Sequence, residues 1–209
     1  MQIELNNIKP TYMSDAEISA SDIYLRRNVL FTKGKIYLIK ANSGHGKTSI
    51  LNFIYGSSND FDGQINYNEI TYKNTFDLRK TKISYVFQDF KLFPNLTVFE
   101  NIQLKNTLTN YKTVKEINNL IKKVLLEHKK DSLVKKLSLG QKQRVAILRA
   151  LCQPFDFLLL DEPYSHLDKK NIKIISTIII QEINKQNAGL IMTSLDETSV
   201  FNFDEVLNL

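Results

Sequence analysis

Two short segments hold the residue types that could act on a phosphate. "ANSGHGKTSI" (41–50) follows the apolar run "IYLI" and closes in Gly46-Lys47-Thr48. Between a strand and a helix, the backbone N–H groups of such a loop wrap phosphate oxygens, and the helix N-terminus adds positive potential. Lys47 would reach the β- and γ-phosphates, and the Thr48 hydroxyl would ligate magnesium. The expected cradle comprises Ala41, Asn42, Ser43, Gly44, His45, Gly46, Lys47, Thr48 and Ser49. Ala41 stands where the pattern has its first glycine. If that position requires φ > 0, the methyl group costs on the order of 1 kcal/mol. The second segment, "FLLLDEP", sets Asp161 at the carboxyl end of an apolar strand, where ligands of open α/β sheets collect. An acid there can hold magnesium through water, and Glu162 can orient or deprotonate an attacking water. Alone, such a pair reads equally well as a polar loop start. Beside the glycine loop it reads as a phosphate-hydrolysis site.

The elements that must position these groups are visible in the pattern. "KIYLIK", "KISYVF", "FDFLLLD" and "GLIMTS" read as strands, and the first 40 residues as short strands with turns. "KTSILNFIY" has apolar residues at helical spacing and stops at Gly56, a good C-terminal cap. Three helix starts use one device, a hydroxyl followed three residues later by Glu or Gln: Thr97 with Glu100, Thr113 with Glu116, Ser138 with Gln141. In the second, Val114, Ile117, Leu120, Ile121, Val124 and Leu125 form one apolar stripe, read as core. A further helix covers 169–186. Strand and helix alternate at both ends around a helical insert at about 89–140, which predicts an α/β chain with a helical subdomain.

The bulk numbers bound the rest. With 209 residues, 43% of them hydrophobic, the chain is of a size to bury one core or one core plus a small subdomain. Runs such as "IISTIII" fall short of the roughly 20 residues that span a bilayer. "MQIELNNIK" lacks the pattern of a signal peptide. The single cysteine, Cys152, excludes an internal disulfide and reads as a buried thiol. Net charge is +6, with lysines crowding 112–136. A nucleic acid or anionic membrane would suit them, as would a solvated helix face; no aromatics interleave as single-strand binding requires.

Over nearly all of its length the chain resembles the ATPase subunits of ABC transporters. "LSLGQKQRVAILRAL" (137–151) is similar to the family's signature motif and following helix, and "YVFQDFKLFPNLTVFENI" to the segment carrying its Q-loop. "SHLD" (165–168) matches its D-loop. The wording around Gln88 most resembles the lipoprotein-releasing, macrolide-exporter and cell-division branches. The resemblance implies a P-loop NTPase core with an ABC-type antiparallel β subdomain and a helical subdomain, forming one ABC ATPase domain over 1–209. It implies ATP and Mg2+ as cofactors, with Glu162, Gln88 and Lys47 catalytic and Thr48, Gln88 and Asp161 at the metal. Tyr12 lies where the family stacks an aromatic on adenine, although a strand-core tyrosine reads equally well there. Ser138 caps a helix whose free N–H groups suit an anion. In the family that anion is the γ-phosphate held by a partner subunit, so Ser138, Gly140, Gln141 and Asp168 would complete a site shared across a head-to-tail dimer.

The implied partners are integral membrane transporter subunits and a second ATPase subunit, identical or different, with no nucleic acid. The implied location is cytoplasmic, peripheral on the inner face of the cell membrane. "DFKLFPNL", through Phe90, Leu92 and Phe93, would transmit motion to the membrane subunits, core packing claiming one or two of them. Two departures stand out. Leu139 replaces a signature glycine, and Leu195 holds the place of the family's switch histidine, which contacts the γ-phosphate. Ser194 could substitute, or could cap a final helix with Glu197. His45, His128 and His166 are no obvious replacement. The other readings are a hydrolysis-impaired cassette with a regulatory or structural role, favoured by Leu195, and a non-transport ABC ATPase.

Overall fold

The computed structural model describes residues 1–24, 28–42, 44–68, 75–195 and 200–209. Ser43 of the loop, and Glu197 of the expected final cap, lie outside these residues. In chain order the elements are β1 (Gln2–Pro10), the single turn α1 (Asp15–Ile18), β2 (Val29–Thr32), β3 (Ile36–Lys40), α2 (Lys47–Tyr55), β4 (Phe61–Asn68), α3 (Thr75–Thr81) and β5 (Ile83–Val86). They continue with α4 (Val98–Asn106), α5 (Val114–Lys123), α6 (Leu139–Ala150), β6 (Phe157–Asp161), α7 (Lys169–Gln186), β7 (Gly189–Ser194) and β8 (Glu205–Asn208).

A parallel sheet of order β5-β6-β7-β3-β8 forms the centre, and an antiparallel sheet of order β2-β1-β4 lies to one side. Except for the edge strand β8, the parallel strands are buried on both faces, so their near-continuous apolar runs divide by alternation. Tyr37, Ile39, Phe157, Leu159 and Ile191 pack with α2 and the antiparallel sheet. Leu38, Leu158, Leu160, Leu190 and Met192 pack with α6, α7 and the helices between them. This alternation sends Asp161 to the α2 side of the sheet, two residues beyond Leu159 and toward the glycine loop.

The N-terminal strands are longer than expected. β1 runs nine residues through a bulge at Asn7, where φ is 52°. The buried positions shift from Ile3 and Leu5 to Ile8 across it. A Cβ at Gly63 on β4 would fall 2.5 Å from the Asn6 and Asn7 carbonyl oxygens, so the bulge needs glycine opposite.

All three capping boxes form, at Thr97, Thr113 and Ser138. α2 ends on left-handed Gly56, whose N–H donates to the Asn52 and Phe53 carbonyls. α7 keeps its expected bounds, capped by Asp168. The α5 stripe is shorter than its sequence suggests: Ile117, Ile121 and Val124 are buried, whereas Val114 and Leu125 are exposed. The helix stops at Lys123, and Leu125 turns left-handed with φ 59°.

One lysine of the 112–136 run is not a solvated one. Lys112 is buried, its Nζ 2.7 Å from Glu182 Oε2, while the Tyr111 hydroxyl and Gln186 Nε2 donate to Oε1 at 2.6 and 3.0 Å. Removing one partner strands the other charge. Lys112→Met is expected to lower urea-unfolding stability by about 3 kcal/mol, near the low end for broken buried pairs because two donors to Glu182 remain. A loss below ~1 kcal/mol would contradict this account. Cys152 is buried as expected, and burial pushes its thiol up to about 12.

Candidate nucleotide site

The loop between β3 and α2 is built by its glycines. Gly44 and Gly46 both take φ 86°, the left-handed region in which a side chain is strained. A Cβ on Gly46 would also meet Tyr24 Oη at 2.8 Å, and that hydroxyl donates to the Gly46 carbonyl at 3.1 Å. Ala41 does not have a positive φ, so the missing first glycine carries no backbone cost. Its carbonyl, with that of Asn42, accepts from Lys47 Nζ at 2.6 and 3.1 Å. The Lys47 side chain is buried, and its ammonium lies 3.2 Å from Glu162 Oε1.

Thr48, Gln88 and Asp161 converge from three elements. The Thr48 hydroxyl donates to Asp161 Oδ2 at 2.7 Å and sits 3.3 Å from Gln88 Oε1. The Thr193 hydroxyl, in register with Asp161 on the adjacent strand, donates to Oδ1 at 2.7 Å. Burial raises the Asp161 pKa, opposed by the hydrogen bonds from Thr193 and Thr48. A hydroxyl, an amide oxygen and a carboxylate make an all-oxygen donor set, which suits a hard cation such as Mg2+.

A cavity of about 200 Å³ opens between Tyr12, the loop, Gln88 and Glu162. Tyr12 occupies the turn after β1, is 57% exposed and donates its hydroxyl to Ser49 Oγ. The strand-core reading of Tyr12 therefore does not hold. Glu162 takes φ 46°, a strained conformation for a residue with a side chain. Its N–H donates to Thr193 Oγ1 at 3.2 Å.

The segment after Gln88 is pinned from α6. Phe90 and Lys91 are both left-handed, with φ 65° and 46°, and Arg149 donates to their two carbonyls at 2.7 Å each. Of the three residues expected to transmit motion, Phe90 is a buried anchor packed edge-on to His166. Leu92 is half-buried and Phe93 is 54% exposed. Beside them a groove of about 440 Å³ runs between Leu92, Pro94, Leu139 and His166.

Ser138, Gly140, Gln141 and Asp168 do not line the loop cavity of this chain. Ser138 Oγ accepts the Gln141 N–H at 3.3 Å, and Asp168 Oδ1 accepts that of Asn171 at 2.8 Å. The Asn171 N–H is the main cause holding the Asp168 carboxyl below its ordinary range. A Cβ on Gly140 would fall 2.6 Å from the His166 carbonyl oxygen, so only this signature glycine is required by the chain's own packing. Leu139 stands outward. Arg144 ties the helix start to its surroundings, donating to the Val124 carbonyl at 2.6 Å and to Asn171 Oδ1 at 3.0 Å.

Thr193, Tyr24, Gln143 and Arg149 were not expected from the sequence. Thr193 carried a signal, a hydroxyl inside the apolar strand "GLIMTS". The others are set by contacts far along the chain.

A profile of the ABC transporter family matches residues 26–165. The chain belongs to the ABC transporter family. The Fe(3+) ions import ATP-binding protein FbpC of Fusobacterium nucleatum subsp. nucleatum is 38% identical over 154 residues, 72% of this chain and 41% of that protein. The match thus covers about two fifths of the length of this curated relative. Among solved structures, the dimer of MJ0796, a bacterial ABC transporter cassette, aligns with a TM-score of 0.75 at 28% identity, covering 93% of this chain and 88% of that one. The same cassette in a dimeric post-hydrolysis state, bound to ADP and Pi, aligns equally well at 27% identity. The expected α/β fold is thus the ABC ATPase fold. Within it, Leu195 is 52% exposed one residue past β7, beside the loop, because the Ala41 N–H meets the Ser194 carbonyl at 3.4 Å.

Proposed function

We propose that the chain is the ATP-binding and hydrolysing cassette of an ABC transporter or transporter-like membrane complex, acting as one ATPase domain over 1–209. One observation carries the reading: Lys47, Thr48, Gln88, Asp161 and Glu162 meet at one end of the parallel sheet, around the glycine loop. Loop N–H groups and the Lys47 ammonium hold the triphosphate, and Tyr12 stands at the mouth for the adenine. Thr48, Gln88 and Asp161 would hold magnesium, which would supply positive charge to the phosphates. Phosphate competes for Lys47 and releases Glu162 from its pairing. Glu162 then takes a proton from water as the water oxygen attacks the γ-phosphorus and the bond to the β-bridging oxygen breaks, leaving ADP and phosphate.

Ser138, Gly140, Gln141 and Asp168 suit a facing subunit, since they lie off the chain's own cavity; the dimeric MJ0796 cassette supports this arrangement. The membrane subunits would bear on the groove beside Leu92 and the exposed Phe93, holding the chain on the cytoplasmic face. No helix among the described residues is long and apolar enough to cross a membrane. No nucleic acid is required.

Leu195 favours a second reading, a cassette whose hydrolysis is impaired. The first reading expects slow turnover, because the γ-phosphate lacks one polar contact of the transition state. Such a contact is worth about 2.7–4 kcal/mol, or roughly 10²–10³ in rate. Leu195→His should raise kcat with little change in KM. Steady-state ATPase assays of wild type, Leu195→His and Ser194→Ala, with and without a co-purified membrane subunit, decide between them. Brisk wild-type turnover that responds to Ser194→Ala and not to Leu195→His would contradict this role for Leu195. Turnover absent from all three, with and without the partner, would favour the impaired cassette.

A further inference from the structure

Glu162 is held by its backbone on both sides. Its N–H meets Thr193, and its carbonyl accepts from Gln143 Nε2 at 3.1 Å. Gln143 lies on α6 and is buried, and its Oε1 accepts the His166 N–H at 3.1 Å. One amide therefore spans the turn from Glu162 to His166 with its donor and acceptor both used, which fixes its orientation. A Cβ at Gly140 would fall 2.6 Å from the His166 carbonyl oxygen, so the same turn lies close against the first turn of α6. Glu162 itself sits in a conformation that a side chain seldom adopts unless its surroundings impose it.

We propose that Gln143 is a positioning residue for hydrolysis, holding the Glu162 peptide left-handed and thereby aiming its carboxylate into the loop cavity. This rests on the reading of Glu162 as the group that takes the proton from water. It also makes the aim of Glu162 depend on the placement of α6, the helix capped by Ser138.

Gln143→Met tests this, because methionine has similar volume and lacks the amide. Hydrogen exchange at the His166 amide should quicken, reporting the lost bond independently of activity. Calorimetry with Mg-ATP should give unchanged stoichiometry and a Kd within about twofold, because the loop and Lys47 are untouched. kcat should fall at least tenfold with KM unchanged. Wild-type kcat despite faster His166 exchange would overturn the proposal. So would a fall in kcat matched by an equal fall in stoichiometry, which marks a folding role alone. Should the methionine variant not fold, Gln143→Asn, whose amide falls one methylene short, carries the same expectations. Glu162→Gln run alongside separates the two readings. Full turnover there overturns the role of Glu162 and this proposal together, whereas lost turnover there with wild-type kcat in Gln143→Met overturns only the positioning role.

Discussion

Glu162→Gln should lose turnover by roughly 10²–10⁴-fold while still binding Mg-ATP, the range for removing a positioned general base. Binding survives because Glu162 acts on water and makes no favourable contact with phosphate. Its partner in the structure is Lys47, at 3.2 Å. A neutral amide releases that lysine more readily, so affinity should hold or rise slightly. With chemistry blocked, the ATP-bound state accumulates. If the residues around Ser138 complete a facing site, size-exclusion chromatography with light scattering should show a dimer in Mg-ATP and a monomer without it. A variant that stays monomeric in saturating Mg-ATP and keeps full turnover would defeat both the role and the shared site.

Lys47→Ala should have the largest effect on binding. The ammonium is buried at the cavity wall and is held there by two carbonyls and a carboxylate. Charge-assisted hydrogen bonds contribute about 1.5–3 kcal/mol each, so losing contacts to two phosphates weakens binding by at least about 100-fold. The substitution also leaves Glu162 facing the incoming phosphates without an intervening positive charge. Calorimetric titration with Mg-ATP should lose its signal at concentrations that saturate wild type. Equal affinities would refute the loop as the nucleotide cradle.

Much of this site was legible because its parts are local. The loop, the strand before it and the helix after it are contiguous, and the glycines at 44 and 46 mark φ values that few other residues tolerate. The capping boxes at Thr97, Thr113 and Ser138 are complete within four residues, and α7 and β7 kept their expected bounds for a similar reason. What could not be read depends on register and on distant contacts. Thr193 reaches Asp161 only through the β6–β7 pairing, and Arg149 meets the Phe90 and Lys91 carbonyls from across the helical layer. The bulge at Asn7 was hidden because an apolar spacing that shifts from odd to even positions resembles the end of a strand. Ala41 seemed a defect when judged by residue type, and its backbone angle shows that it is none.

The most direct measurement is phosphate release from Mg-ATP by purified wild type and Glu162→Gln, with Lys47→Ala as the blank. The account predicts slow but definite release by wild type, with Glu162→Gln at the level of the blank. Release by Glu162→Gln at the wild-type rate, or equal rates from all three proteins, would contradict it.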